Sequence, residues 1–413
     1  MLTEVTASRV DEIDAALASR ARKRRKRLPA VTLPALRWRG GAQVSADAAR
    51  GLLGLLTEDV EGAADPLLLD ARAALGDDDA SALLAAIYNA VEWTSANKWK
   101  VYAAGLLGDE TQLRTMASLL QGWASSGGHL LASHGVAALR RNGVGAAIVW
   151  LDHLTLHGRG KVQREAGEAL EARCAERGLD RDALVDLNLT RDPSPASETV
   201  RAVALRFESA MLTGRSLGDA QLATLVTTAC VRQSLEGVIV RDARGALALH
   251  AGDRLVDLDG APVALVAPVT IPHPATLDDA ALSRCRAALS SRGITQPFAQ
   301  IERPFTRDPE GDAAALASRA VDYHALLARL DTLGYRRGEP QDAGIIYDAW
   351  RPIDARWLLR VDMSGYAAST GRGPSARDTH VRVSAHDRDG RLVPAPIGLR
   401  CEALADLRRL VEG

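Results

Sequence analysis

Residues 237–269 read GVIVRDARGALALHAGDRLVDLDGAPVALVAPV, and the spacing of their apolar side chains decides the fold class. Val238 and Val240, Leu247 and Leu249, Leu255, Val256 and Leu258, then Val263 and Leu265 come in short bursts close to a period of two. That is the signature of strands with one buried face. Asp242–Gly245 and Asp259-Gly260 separate the bursts, and glycine accepts the positive φ that tight hairpins require. The stretch predicts a small antiparallel meander.

The period differs on either side. From about residue 45 to 178 apolar residues recur at three and four. Leu113, Met116, Leu120 and Trp123 follow Asp109 and Glu110, and later stripes are Val144, Ile148, Leu151 and Val162, Ala166, Leu170, Cys174. Breaks at 105–108, 125–128, 142–145 and 157–160 keep these helices short. Short amphipathic helices must stack to bury their apolar faces, which predicts a HEAT-like array or an irregular bundle. Residues 9–27 read as a separate helix with an acidic start (Asp11, Glu12, Asp14) and a basic end (Arg22, Lys23, Arg24, Arg25, Lys26, Arg27), complementing the helix dipole. Pro29 stops it.

A helical pair at about 197–213 and 217–235 precedes the meander. After it, Thr276 and Asp279 suggest a capping-box-like helix start with Gly293 as C-cap. Tyr323, Leu326, Leu327 and Leu330 mark another helix ending near Gly334. Strands at 356–362 and about 380–386 and a helix at 398–411 close the chain. Strands that cluster, rather than alternating regularly with helices, make the class α+β: an N-terminal helical array, then a mixed C-terminal domain with antiparallel strands. The expected divisions are 1–44 (basic helix and linker), 45–178 (helical repeats), 179–200 (linker, containing the aperiodic LTRDPSPASET) and 201–413.

The 413 residues are 47% hydrophobic and 25% charged, enough for two or three real cores. With 51 Lys plus Arg against 52 Asp plus Glu, no chain-wide cationic surface exists for nucleic acid, leaving the run at 22–27 as the candidate electrostatic contact. Cys174, Cys230, Cys285 and Cys401 are too dispersed for metal spacing. His153 and His157 stand four apart with Asp152 beside them but lack the further ligands and glutamate of a zinc helix. No metal or cofactor is expected. No apolar run is long enough to span a bilayer, and the N-terminal residues lack the apolar core of a secretory signal, so the expected location is the cytoplasm.

Two polar clusters are candidate ligand sites. Gln296, Gln300 and Arg303 lie four and three apart. A helix after Pro297 would place Gln300 and Arg303 on one face, with amide and guanidinium donors for an anion or carbonyl. The other reading is an ordered connector anchored by Phe298 and Phe305, its glutamines bonded to nearby backbone. Arg336, Arg337, Glu339, Asp342, Tyr347 and Asp348 form the second cluster, able to hold a carboxylate or phosphate or simply to lace a surface loop. There is no nucleophile elbow, Walker loop or dinucleotide fingerprint.

The stretches GITQPFAQIERPFTR (Gly293–Arg307), LGYRRGEPQDAGIIYDAW (Leu333–Trp350) and IPHPATLDDAAL (Ile271–Leu282) resemble the DUF4132 family, which includes MolR-like proteins. NKWKVYAAGLLGD (Asn97–Asp109) resembles the helical solenoid that precedes that domain in the family. The resemblance runs from about residue 75 to the end and implies no settled activity. Family members often carry a nucleic-acid-reading WGR module, but Trp38-Arg39-Gly40 lacks its surroundings. The leading expectation is a non-enzymatic interaction or regulatory scaffold with a protein partner. The alternatives are an enzyme or a sensor of a small polar ligand acting through the C-terminal domain, and a nucleic-acid-associated protein acting through 22–27.

Overall fold

The computed structural model describes residues 6–23, 28–59, 65–142, 145–158, 160–189, 197–219, 221, 229–252, 254–341, 345–364, 379–388 and 393–413. Contacts divide the chain into two units, Met1–Asn188 and Leu189–Gly413.

The first unit is helical. In α1 (Ala7–Lys23) the residues Val10, Ile13 and Leu17, three and four apart, are buried, and α1 packs on α2 (Ala46–Glu58). The approach is so close that a Cβ on Gly51 would sit 2.1 Å from the Leu17 carbonyl oxygen, which only glycine permits. Asp14 accepts hydrogen bonds from the Ser45 N–H and hydroxyl, and the Ser45 oxygen caps α2 through the Ala48 N–H. Leu36, Trp38 and Val44 are also buried, so the described residues of 28–44 pack within the helical unit.

Next come α3 (Pro66–Ala74), α4 (Asp77–Ala90), α5 (Lys98–Leu107), α6 (Glu110–Ser125), α7 (His129–Arg141), α8 (Gly145–His157), α9 (Gly160–Arg177) and α10 (Arg181–Leu189). Asp109 and Gln112 form a reciprocal capping box on α6. Alternate helices pack, α5 on α7 and α7 on α9, with α6 on α8. Gly105 lets α5 approach α7 until an added Cβ would be 2.4 Å from the Ala138 carbonyl oxygen.

The second unit is α+β. After α11 (Ser197–Thr213), a first antiparallel sheet contains β1 (Ser216–Leu217), β2 (Ile239–Arg241), β3 (Leu247–Ala251), β4 (Arg254–Asp257) and β5 (Val269–Thr270), in the order β1-β5-β2-β3-β4. The meander is thus β2-β3-β4. Val263 and Leu265 lie outside any strand; only an isolated bridge between Val256 and Pro262 continues the pairing there. Helix α12 (Ala229–Ser234) lies between β1 and β2 in sequence, and α13 (Asp279–Ser291) buries Leu282, Cys285 and Leu289 against Ile239, Leu249 and Val256. The expected Thr276–Asp279 cap does not form. Asp278 accepts from the Ala281 N–H at 2.7 Å, while the Thr276 hydroxyl donates to the His273 carbonyl.

A second antiparallel sheet has β6 (Ala320–Val321), β7 (Arg336–Arg337), β8 (Asp348–Pro352), β9 (Trp357–Ser364) and β10 (Thr379–Asp387), in the order β6-β10-β9-β8-β7. Leu359, Val361, Met363, Val381 and Val383 alternate onto one face. They pack with Leu326 and Leu330 of α15 (Tyr323–Thr332) and Leu404, Leu407 and Leu410 of α16 (Ile397–Glu412). Helix α14 (Pro309–Ala317) packs on α16. No helix among the described residues is long and apolar enough to cross a membrane.

Candidate functional site

The connector 293–307 is a chain of turns rather than a helix after Pro297, and its glutamines bond to backbone, as the ordered-connector reading has it. Gln300 is fully buried. Its Oε1 accepts from the Ile239 N–H at 2.9 Å, and its Nε2 donates to the Ile239 and Pro272 carbonyls at 2.8 and 3.1 Å. Gln296 donates to the Gly237 carbonyl and to Gln300 Oε1 and accepts from the Ile301 N–H. One amide thus serves both backbone groups of a β2 residue, as a neighbouring strand would.

Arg303 donates to Glu402, Glu208 and the Ala299 carbonyl. The chain of bonds continues: Arg351 donates to Glu402 at 3.1 Å and to Asp406 at 2.6 Å, and the Tyr335 hydroxyl donates to Asp406 at 2.7 Å. Burial alone would raise the Glu402 carboxyl, but the Arg303 and Arg351 guanidiniums outweigh it and hold the carboxyl below its ordinary value. Burial, reinforced by Asp406, pushes the Tyr335 hydroxyl well up, so it stays protonated and donates.

Of the second predicted cluster, Arg336 and Arg337 form β7, paired with Trp350 and Ala349. The Arg337 side chain donates to Asp331 and to the Leu327 carbonyl. The Tyr347 carbonyl accepts from the Met363 N–H, and Asp342 lies outside the described residues. In the basic run, Arg22 and Lys23 end α1, and Arg24, Arg25, Lys26 and Arg27 lie outside the described residues. His153 and His157 stack with ring centroids 4.6 Å apart. Asp152, the nearest possible third ligand, is held by Arg181 at 2.7 Å, and among the described residues no group of three metal-binding side chains occurs.

Sequence reading missed a caged lysine. Lys100 is fully buried, its Nζ 3.9 Å from the Trp93 ring centroid and 5.1 Å from that of Tyr88, and it donates to the Tyr88 and Val91 carbonyls. Burial pushes its pKa down to about 8. No carboxylate among the described residues pairs with it, so the aromatic faces and carbonyl dipoles carry the compensation.

It also missed the edge of β10. This strand pairs with β9 from His380 to Asp387 but meets β6 only at Thr379 and His380. The Arg388 N–H donates to the Arg356 carbonyl at 2.7 Å in the same register, so even-numbered residues exchange bonds with β9. Val383 and Ala385, beyond the reach of β6, therefore turn their N–H and C=O groups outward, where no strand pairs with them among the described residues. A cavity of about 660 Å³ opens there, walled on one side by Arg382, Val383, Ser384 and Ala385. Successive strand residues face opposite sides of a sheet, so four in a row can border one cavity only if it lies along the strand's edge. Ala313 and Ala317 of α14 and Ala403, Leu404 and Leu407 of α16 form the opposite wall. Their small, apolar side chains leave the groove open.

Residues 180–335 match the model of DUF4132, a domain of unknown function. This is narrower than the stretch from about residue 75 over which the sequence resemblance runs, and it ends before β7. No curated protein and no solved structure matches the chain.

Proposed function

We propose, from the premise that residues 180–335 belong to the DUF4132 family, that this protein is a non-catalytic interaction protein that takes an extended segment of a partner polypeptide as an added strand on β10. The observation that carries this reading is that Val383 and Ala385, which no strand pairs among the described residues on that side, border a groove of about 660 Å³. Strand addition draws affinity from main-chain hydrogen bonds and specificity from pockets for alternate side chains. Both parts are at hand. The stacking of alternate helices in the first unit supports the same reading, since HEAT-like arrays present extended surfaces to protein partners. Gln296, Gln300 and Arg303, the residues that would have served an anion-binding or catalytic reading, all bond within the fold.

Seven-residue segments selected from a displayed random library on the intact chain supply the test. A selected segment is then N-methylated at alternate amides in two complementary sets. The set facing β10 should abolish binding and the other should spare it, because only one set of N–H groups points at a neighbouring strand. Ala385→Pro, which removes an outward N–H and no bond to β9, should weaken binding at least tenfold. Equal tolerance of both methylation sets, or failure to select any segment, overturns the reading.

A further inference from the structure

The β10 groove is chemically two-sided, and we infer that its occupant is a segment in which acidic and small-to-medium aliphatic residues alternate. This rests on the added-strand reading above.

The two sides follow from the pleat. Val381 and Val383 face the core shared with α15 and α16, whereas Arg382, Ser384 and His386 face the other way. A strand added beside β10 continues the same alternation. Its residues on the helical side meet Ala313, Ala317, Ala403, Leu404 and Leu407. Alanines on both helices leave room for a branched aliphatic chain.

Its residues on the other side meet Arg382. That guanidinium is exposed and forms no ion pair among the described residues. Its cross-strand neighbour Asp362 is engaged by Arg360 at 2.9 Å, and Arg360 also reaches Asp348 at 3.3 Å. Arg382 therefore has no carboxylate of its own among the described residues, although the two acids that share Arg360 lie close by. At the α14 end of the groove Arg400 donates through one nitrogen to Glu310 at 2.7 Å, and its Nε has no hydrogen-bond partner. The groove thus presents two guanidiniums against one carboxylate. A carboxylate on the added strand offers Arg382 the two-oxygen acceptor that suits its fork.

Two fluorescein-labelled heptapeptides, Glu-Val-Glu-Val-Glu-Val-Glu and its Lys-Val counterpart, test this by anisotropy with the intact chain at low salt. The acidic peptide should bind at least tenfold more tightly, and the difference should shrink as salt rises, because the Debye length falls from about 30 Å at 0.01 M to about 8 Å at 0.15 M. Arg382→Glu should reverse the preference. Arg382→Gln, which adds no repulsion toward Asp362, should reduce it without reversal, and unchanged thermal melting of the two variants shows that the fold is retained. Equal binding of the two peptides, with the N-methylation pattern kept, overturns the acidic alternation but leaves the added strand standing. Binding indifferent to N-methylation overturns the added strand itself. If neither peptide binds, the alternation is wrong, and the library-selected segments alone decide whether a strand is added.

Discussion

In the connector 293–307 the glutamines and Arg303 that drew notice have partners inside the fold, whereas along the outer edge of β10 Val383, Ala385 and the Arg382 side chain have no strand or ion-pair partner among the described residues. Gln300 is sealed from water and bonded to both backbone groups of Ile239. Val383 and Ala385 turn theirs into an open groove. The two regions lie in the same unit. Buried polar groups persist only when satisfied, so a rare, polar, aromatic-flanked stretch is a mark of burial as much as of ligand contact. Unsatisfied groups gather where a partner can supply the missing bonds.

The sharpest attempt to break this contrast is Arg303→Met. If Arg303 is structural, removing it leaves Glu402 and Glu208 short of a cation and costs about 3–5 kcal/mol, the usual penalty for breaking a buried pair from one side. Urea unfolding measures it. A loss below about 1 kcal/mol would return Arg303 to the list of ligand contacts. Gln300→Met comes next. It leaves the Ile239 N–H and two carbonyls unmet at about 1–3 kcal/mol per unsatisfied group, and partial relaxation brings the expected total to about 2–4 kcal/mol. Peptide binding at β10 should be unchanged in this variant wherever it remains folded.

Lys100 extends the comparison to the helical unit, as a buried charge with no countercharge among the described residues. Its folded pKa of about 8 lies below the ordinary 10.5, so between those values the unfolded chain binds more protons and this group makes stability rise with pH. Below pH 8 its cost is constant. Urea midpoints between pH 8 and 10.5 should climb less steeply in Lys100→Met than in the unaltered protein. Identical slopes would show that the ammonium is not disfavoured by folding. The smallest effect belongs to Arg337→Gln, whose exposed pair with Asp331 is worth about 0–1 kcal/mol. Stability within that range and unaltered peptide binding would keep it apart from both regions.

Much of the architecture was legible because it rests on periodicity. The α+β class, the helices from Asp109 onward, the meander core and the strands near 357 and 380 all follow from where apolar residues recur. What stayed hidden depends on long-range neighbours. The short strand β8 reads as a polar loop because Asp348, Arg351 and Pro352 dominate it, yet β9 on one side and β7 on the other give it a ladder. The connector was readable as one whose glutamines bond to backbone, but not which backbone, because Ile239 and Pro272 are far off in sequence. Arg382 and Arg400 carried no signal at all among so many arginines. The early end of β6 pairing distinguishes the first, and its unpartnered Nε the second.

The bonds that run from Glu208 through Arg303, Glu402, Arg351 and Asp406 to Tyr335 also form a seam. It stitches residues on both sides of position 335, where the family match stops. The matched stretch is therefore not a portable module. Severed at 335, it would keep Arg303 and Tyr335 but lose the carboxylates of Glu402 and Asp406, and with them the strands and helix that close its second half. Borrowing this domain for another protein means taking it whole, through α16.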